Sequence, residues 1–134
     1  SEGRRHADIV KIMASQPIDF VQVTYNAVDR EIEQRILPLA RERKIAVIAN
    51  RPFRQGDLTE ALRRHPLPAW AKEIRCTSWA QVLLKFIVSH PDVTCAIPAT
   101  SQVAHVRENM AAGAWPMPDA AFRNRISAHV ARLL

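Results

Sequence analysis

Glycine is scarce in this chain, with three residues in 134. That excludes a collagen-like repeat and a glycine-rich linker, and neither GxGxxG nor a P-loop is present. Cysteine is scarce as well. Cys76 and Cys95 fit no CxxC or zinc spacing, so they read as free, buried thiols of a reducing compartment. There is one tyrosine. HExxH and a Ser-His-Asp signature are also missing. No apolar run approaches the roughly 18 residues of a membrane span, and the opening SEGRRHADIV lacks the features of a signal peptide. The expectation is a soluble, cytoplasmic chain without a membrane partner.

What is present is a globular composition. Hydrophobic residues make up 48% of the chain, enough for one domain over residues 1–134 with a sizeable core. The net charge of +6 comes mostly from arginines, placed singly or in pairs such as Arg4–Arg5 and Arg63–Arg64. They do not interleave with aromatics. A solvated basic face is the first reading, a phosphate-bearing small ligand the second, and nucleic acid the last.

Three β-branched runs have strand length: IDFVQVTY (18–25), IAVIA (45–49) and VTCAI (93–97). Helical patterns surround them. In HADIVKIMASQ, Ile9, Ile12 and Met13 share a face. In DREIEQRILPLARERK, Ile32, Ile36 and Leu39 do so after Asp29, a candidate N-cap, while Pro38 predicts a kink or restart. SWAQVLLKFIVSH opens on a Ser78/Gln81 capping box and is apolar nearly all round, as a helix pressed between neighbours would be. SQVAHVRENMAA follows the third strand, and DAAFRNRISAHVARLL carries a Phe122, Ile126, Val130, Leu133 stripe. Strands alternating with helices predict βαβ units and a parallel sheet, either doubly wound or part of a (β/α)8 barrel.

In parallel α/β folds, ligands sit beyond the C-terminal strand ends. Those ends here are QVTYN, IANRPFRQG and IPATSQ. Gln22 reads either as a satisfied core glutamine or as a carboxamide aimed at a ligand. An arginine at a strand mouth, Arg51, suits a phosphate or a surface carboxylate. Thr100, Ser101 and Gln102 open a helix whose N-terminus favours an anion, though such residues also make an ordinary N-cap.

Taken together, VQVTYN, DREIEQRILPLARERKIAVIANRPF and SWAQVLLKFIVSHPDVTCAIPATSQVAHVREN resemble the C-terminal half of aldo-keto reductases. The resemblance spans nearly the whole chain. It implies an α/β chain forming the C-terminal portion of a (β/α)8 TIM barrel, its three parallel strands being the sixth to eighth. The implied activity is NADP(H)-dependent reduction of aldehydes or ketones to alcohols by hydride transfer. NADPH is the implied cofactor, with NAD not excluded, and a small carbonyl compound the implied substrate. By resemblance, Gln22 meets the nicotinamide carboxamide, and Asn50, Arg51 and Phe53 belong to the loop over the nicotinamide and pyrophosphate. Thr100, Ser101 and Gln102 receive the adenosine 2′-phosphate, and Glu108 and Asn109 contact the adenine end.

Two departures bear on the cofactor. Asn50 stands where many members stack an aromatic, and Ala99 and His105 stand where some carry lysine and arginine against the 2′-phosphate. The family's proton-donating tyrosine and its lysine, aspartate and histidine companions come from the first four strands. None has a match here, so no residue is assigned a catalytic role, and the chain alone is expected to be inactive. Asp29, Glu31 and Glu33 read as surface charge complementing a helix dipole. His65 and His90 read as residues of helix C-terminal turns, and Trp70, Trp79 and Trp115 as core or interface anchors.

A barrel cut after its fifth strand leaves open edges and an uncovered apolar layer. The expected partner is therefore the missing N-terminal half or a second copy of the chain. A non-catalytic NADP-binding relative with a regulatory or interaction role is the alternative. A basic nucleic-acid module, favoured only by net charge, comes third.

Overall fold

A computed structural model of the chain describes residues 5–134. Arg4 lies outside the described residues. The chain begins with α1 (His6–Ser15) and β1 (Phe20–Thr24), followed by a short 3-10 turn at Glu31–Glu33. Next come α2 (Ile36–Arg43) and β2 (Ala46–Asn50). After β2 lie a 3-10 turn at Arg54–Gly56, α3 (Asp57–Leu62), a longer 3-10 helix at Ala69–Ile74, and α4 (Trp79–Val88). β3 (Cys95–Ala96), α5 (Val103–Ala111) and α6 (Ala120–Leu133) complete the chain.

The strands lie in the order β1-β2-β3, all parallel. Phe20 pairs with Ala46 through to Thr24 with Asn50, and Ile48 pairs with Cys95. β3 is shorter than the VTCAI run predicts because a side chain interrupts the ladder. The Thr94 hydroxyl, in place of a backbone carbonyl, accepts the Val47 N–H at 2.9 Å. Pairing resumes through Thr94 N to Val47 O and Ile97 N to Ala49 O before Pro98 ends it.

Pro38 falls in the first turn of α2, where a missing N–H leaves no intrahelical bond unmade. The helix thus restarts after the 3-10 turn, as the proline predicts. α2 ends on Lys44 in the left-handed conformation, φ 57°. Ser78 caps α4 by accepting the Gln81 N–H. The reciprocal bond of the capping box is displaced by one residue, since Gln81 Oε1 accepts from Thr77 N at 2.8 Å. Asp119 caps α6 through Phe122 N.

The sheet has two unlike faces because side chains alternate along each strand. Val21, Val23, Val47 and Ala49 are buried in one core with Met13, Ile36, Leu37, Leu83 and Phe86. The opposite face carries Phe20, Gln22, Thr24, Ile48, Asn50 and Cys95, and nothing fully covers it. Phe20 is 59% exposed there. This alternation corrects two sequence readings. Gln22 is an exposed residue and not a buried glutamine, because its neighbours Val21 and Val23 take the core face. Cys95 is an exposed thiol and only Cys76 is buried.

Ile12 lies 49% exposed on α1, where Met13 alone is fully buried, and Trp115 is exposed while Trp70 and Trp79 are buried. The last two flank His129, which stacks on Trp79 and meets Trp70 edge-on. In α6, Ile126 and Val130 are fully buried, with Phe122 and Leu133 packed beside them.

α4 holds a polar group that its apolar pattern conceals. Lys85 is 1% exposed, and its ammonium donates to the carbonyls of Ile74 (2.6 Å), Ala114 (2.8 Å) and Pro116 (2.9 Å). Three oriented carbonyls replace the water that burial removes. Burial lowers the lysine's pKa and pushes the neighbouring Cys76 thiol up to about 11. The ammonium joins the turn after α5 to the end of the long 3-10 helix. Lys85→Met should lower unfolding stability by about 1–3 kcal/mol, since one buried and two partly buried acceptors lose their donor; urea denaturation of the two proteins measures the difference.

Candidate functional site

The C-terminal ends of β2 and β3 open on a cleft of about 570 Å³. Its walls come from three places: the segment after β2, the start of α4, and the segment from Ile97 into α5. Parallel pairing points both strands the same way, so these two loops necessarily meet on one side.

Of the residues singled out in the sequence, the cleft gathers Arg51, Phe53, Thr100, Glu108 and Asn109. Ser101 and Gln102 are exposed neighbours of Thr100 and do not line it. Gln22 and Asn50 lie elsewhere, on the open face of the sheet. There Asn50 Oδ1 accepts from the Thr24 hydroxyl at 2.9 Å, across the β1–β2 pair. The sequence-derived residues thus form one group in the cleft and one on the sheet face beside it, with Ser101 and Gln102 outside both.

Further lining residues follow from the fold and not from any local motif. Gln55, Gly56 and Thr59 belong to the turn into α3, and Ala80 to the first turn of α4. Ala99 and His105, noted above only as departures, also line the cleft. The unusual length of the segment after β2 was the one available signal for the first three.

The lining combines two basic side chains, Arg51 and His105, with one carboxylate, Glu108. Polar uncharged groups come from Thr59, Thr100, Gln55 and Asn109, and apolar contact from Phe53, Ile97 and the alanines. Thr100 Oγ1 accepts from Gln102 N at 3.2 Å and lies 3.4 Å from His105 Nδ1. No side chain caps the N-terminus of α5 beside the cleft, unlike those of α4 and α6. Such a lining suits a ligand with an anionic group and a flat, hydrogen-bonding ring.

The segment after β2 is tightly built. Asn26 is fully buried and uses its whole carboxamide: Nδ2 donates to Asp29 Oδ2 (2.8 Å) and to the Arg51 carbonyl (3.1 Å). Its Oδ1 accepts from Val28 N (3.0 Å) and Asp29 N (2.8 Å). Arg54 forks onto Asp29 with bonds of 2.8 and 2.5 Å. Asp29 is therefore one half of an ion pair, and the expectation of a helix N-cap or a dipole-complementing charge is corrected. Glu33 is corrected likewise, taking two bonds from Arg30 and one from the Tyr25 hydroxyl at 2.5 Å. Burial raises the Tyr25 pKa further from neutrality, with Glu33 adding to the shift. This tyrosine is placed as a core anchor against Phe86 and His90.

Comparison with known proteins follows the same outline. The Aldo/keto reductase family model matches residues 3–130. This chain belongs to that family. It is 35% identical over 91 residues to the methylglyoxal reductase YeaE of Escherichia coli (strain K12), covering 67% of this chain and 32% of that protein. An NADH-specific methylglyoxal reductase of the same organism is 33% identical over 70 residues, covering 52% of this chain and 22% of its own length. The aldo/keto reductase of Klebsiella pneumoniae, solved in complex with NADP and acetate, superposes with a TM-score of 0.69 at 23% identity. That match covers 92% of this chain and 44% of the other. An aldo-keto reductase from Bacillus halodurans gives a TM-score of 0.68 at 20% identity over 94% of this chain and 46% of its own. The matched portion is thus about a third or less of each E. coli protein and under half of each solved one. The three strands form a portion of a (β/α)8 barrel, and the enzyme family is that of an oxidoreductase.

Among the described residues, no helix is long and apolar enough to cross a membrane.

The ion pairs around the cleft carry a pH signature. The Arg54 fork, helped by Asn26, holds the Asp29 carboxyl below its ordinary range, against the opposing effect of burial. Burial also works against Glu33, but bonds from Arg30 and Tyr25 prevail and lower it too. A carboxylate with a depressed folded-state pKa contributes stability above about pH 4, and that contribution is lost as pH falls through the folded value. Thermal melts should therefore show a midpoint that drops steeply below pH 4. Asp29→Asn should lower the midpoint at pH 7 and flatten that acid limb.

Proposed function

We propose that this chain supplies the dinucleotide-holding loops of an enzyme that reduces small aldehydes or ketones with NADPH. The observation that carries the reading is the convergence of Arg51 and Phe53 with Thr100, Glu108 and Asn109 on one cleft beyond two parallel strand ends. The cleft fits the adenosine and phosphate portion of such a cofactor. Its basic side chains and the uncapped N-terminus of α5 suit phosphate, and the Asn109 amide and the Glu108 carboxylate suit a purine edge. Gln22 and Asn50, outside the cleft on the sheet face, are the residues proposed to meet the nicotinamide end.

A bound reduced nicotinamide supplies the hydride. The residues of this chain would hold the dinucleotide: Arg51 by charge-assisted bonds to its phosphates, Phe53 and Ile97 by apolar contact, and Gln22 by its carboxamide. No proton donor is assigned here, because the Tyr25 hydroxyl is held by Glu33 within the core. The two relatives named as methylglyoxal reductases support a small 2-oxoaldehyde as substrate. One of them is named NADH-specific, and this chain has Ala99 and His105 at the cleft. The reading is accordingly NADPH preferred and NADH accepted.

The remaining barrel strands are the proposed partner. Among the described residues β1 and β3 both present an unpaired edge, and the open face between them carries Phe20, Ile48 and, just past β3, Ile97 at 46% exposure. A further five strands would pair both edges and cover that face.

Titration of the protein as expressed from its own gene with NADPH and NADH, followed by nucleotide fluorescence, tests the proposal. Saturable binding with tighter NADPH is expected. Arg51→Ala should weaken NADPH about tenfold, or about 1.4 kcal/mol. Absence of binding to either nucleotide would refute the reading.

A further inference from the structure

The segment that forms one wall of the cleft is conformationally strained. Arg51, Arg54 and Gln55 have φ values of 50°, 48° and 60°, and Gly56 follows at 100°. Only the last is a residue for which this region is free of steric cost. Three non-glycine residues in the left-handed region within five positions do not persist unless neighbouring contacts hold them.

The segment has turn bonds of its own, from Arg54 N to the Arg51 carbonyl and from Gly56 N and Leu58 N to the Phe53 carbonyl, and the hydrogen bonds that reach it from elsewhere in the fold come from the turn after β1. At one end of the segment the Arg51 carbonyl accepts from Asn26 Nδ2 at 3.1 Å. At the other end Arg54 forks onto Asp29 at 2.8 and 2.5 Å. Asn26 and Asp29 are themselves joined by three bonds, Nδ2 to Oδ2, Asp29 N to Oδ1, and Asn26 N to the Asp29 carbonyl at 3.2 Å. The turn is thus one rigid piece gripping the strained segment at two points three residues apart. Between the grips lie Pro52 and Phe53, and with Arg51 and Gln55 they face the cleft.

Arg54 does not line the cleft, and neither do Asn26 and Asp29. Their spending of hydrogen bonds on this segment has no direct ligand contact to explain it. We propose that Asn26, Asp29 and Arg54 are positioning residues, a latch that keeps the segment in the conformation presenting Arg51 and Phe53 to the bound dinucleotide. The latch sets how long the dinucleotide stays bound. It rests on the cofactor reading above for its consequence, but its existence is a separate matter of backbone order.

The ion pair has a specific signature. If Asp29 and Arg54 act only through one another, losing either releases the segment, and losing both releases it no further. In the protein as expressed from its own gene, Asp29→Ala and Arg54→Ala should each speed amide hydrogen exchange across residues 51–56 without nucleotide. The double variant should match the faster single one. Stopped-flow fluorescence with NADPH should show release accelerated about five- to tenfold in each single variant and no more in the double, with association within about twofold. Arg54 is an exposed side chain, so its removal does not threaten the core.

Unchanged exchange at 51–56 in both single variants would overturn the latch. So would additive effects in the double variant, or lowered melting temperatures with NADPH release unaltered. If the unsubstituted protein holds no nicotinamide dinucleotide, the cofactor reading and the proposed consequence fall together. The exchange pattern still decides whether the latch exists.

Discussion

One buried carboxamide organises the functional end of this molecule. Asn26 has no exposed surface and no unused hydrogen-bonding capacity, and its bonds reach both the turn after β1 and the backbone after β2. A side chain in that state tolerates little displacement, because each unmade bond would leave a desolvated polar atom. The cleft wall inherits this rigidity. Parallel pairing brings the strand ends to one side, and Asn26 fixes what the chain does on leaving them.

A second rigid polar contact serves the other wall. Lys85 and Gln81 lie one turn apart on α4, and both bond backbone carbonyls in or just after α5. Gln81 Nε2 donates to the Glu108 carbonyl at 3.1 Å, while Lys85 grips the turn at Ala114 and Pro116. α5 itself buries no side chain, so it owes its place to these bonds and to packing on α4. Both walls therefore rest partly on buried polar groups, which gives them defined positions at a cost in tolerance to change.

How much of this was legible in the sequence depends on the kind of signal. Elements with strong periodicity were readable: the three strand runs, the Pro38 restart, the Ser78 cap and the α6 stripe all have local physical causes. The depth of individual residues was less so. Gln22 sits between two valines in a run that looks wholly buried, yet it faces the open side of the sheet, because a run apolar on both sides does not reveal which face is covered. Lys85 is concealed for the opposite reason: among apolar neighbours a single lysine reads as a solvent-seeking exception. Asp29 and Arg54 are 25 positions apart, and nothing local joins them. The resemblance directed attention to Arg51, Thr100 and Glu108, whereas the contributions of Gln55, Thr59 and Ala80 to the cleft depend on how α3 and α4 pack, which no local pattern encodes.

The placement of α6 bears on the order of events during synthesis. Ser127 Oγ donates to the Ala27 carbonyl at 2.7 Å, and Arg30 reaches Asn124, joining residues about a hundred positions apart. Ile126 and Val130 are fully buried in the same core as the first strand. The turn after β1 thus waits for residues made about a hundred positions later before it is closed in. Until then the core beneath α6 stays wet, and this stretch of chain is exposed to proteases and holding chaperones for most of the time taken to make it.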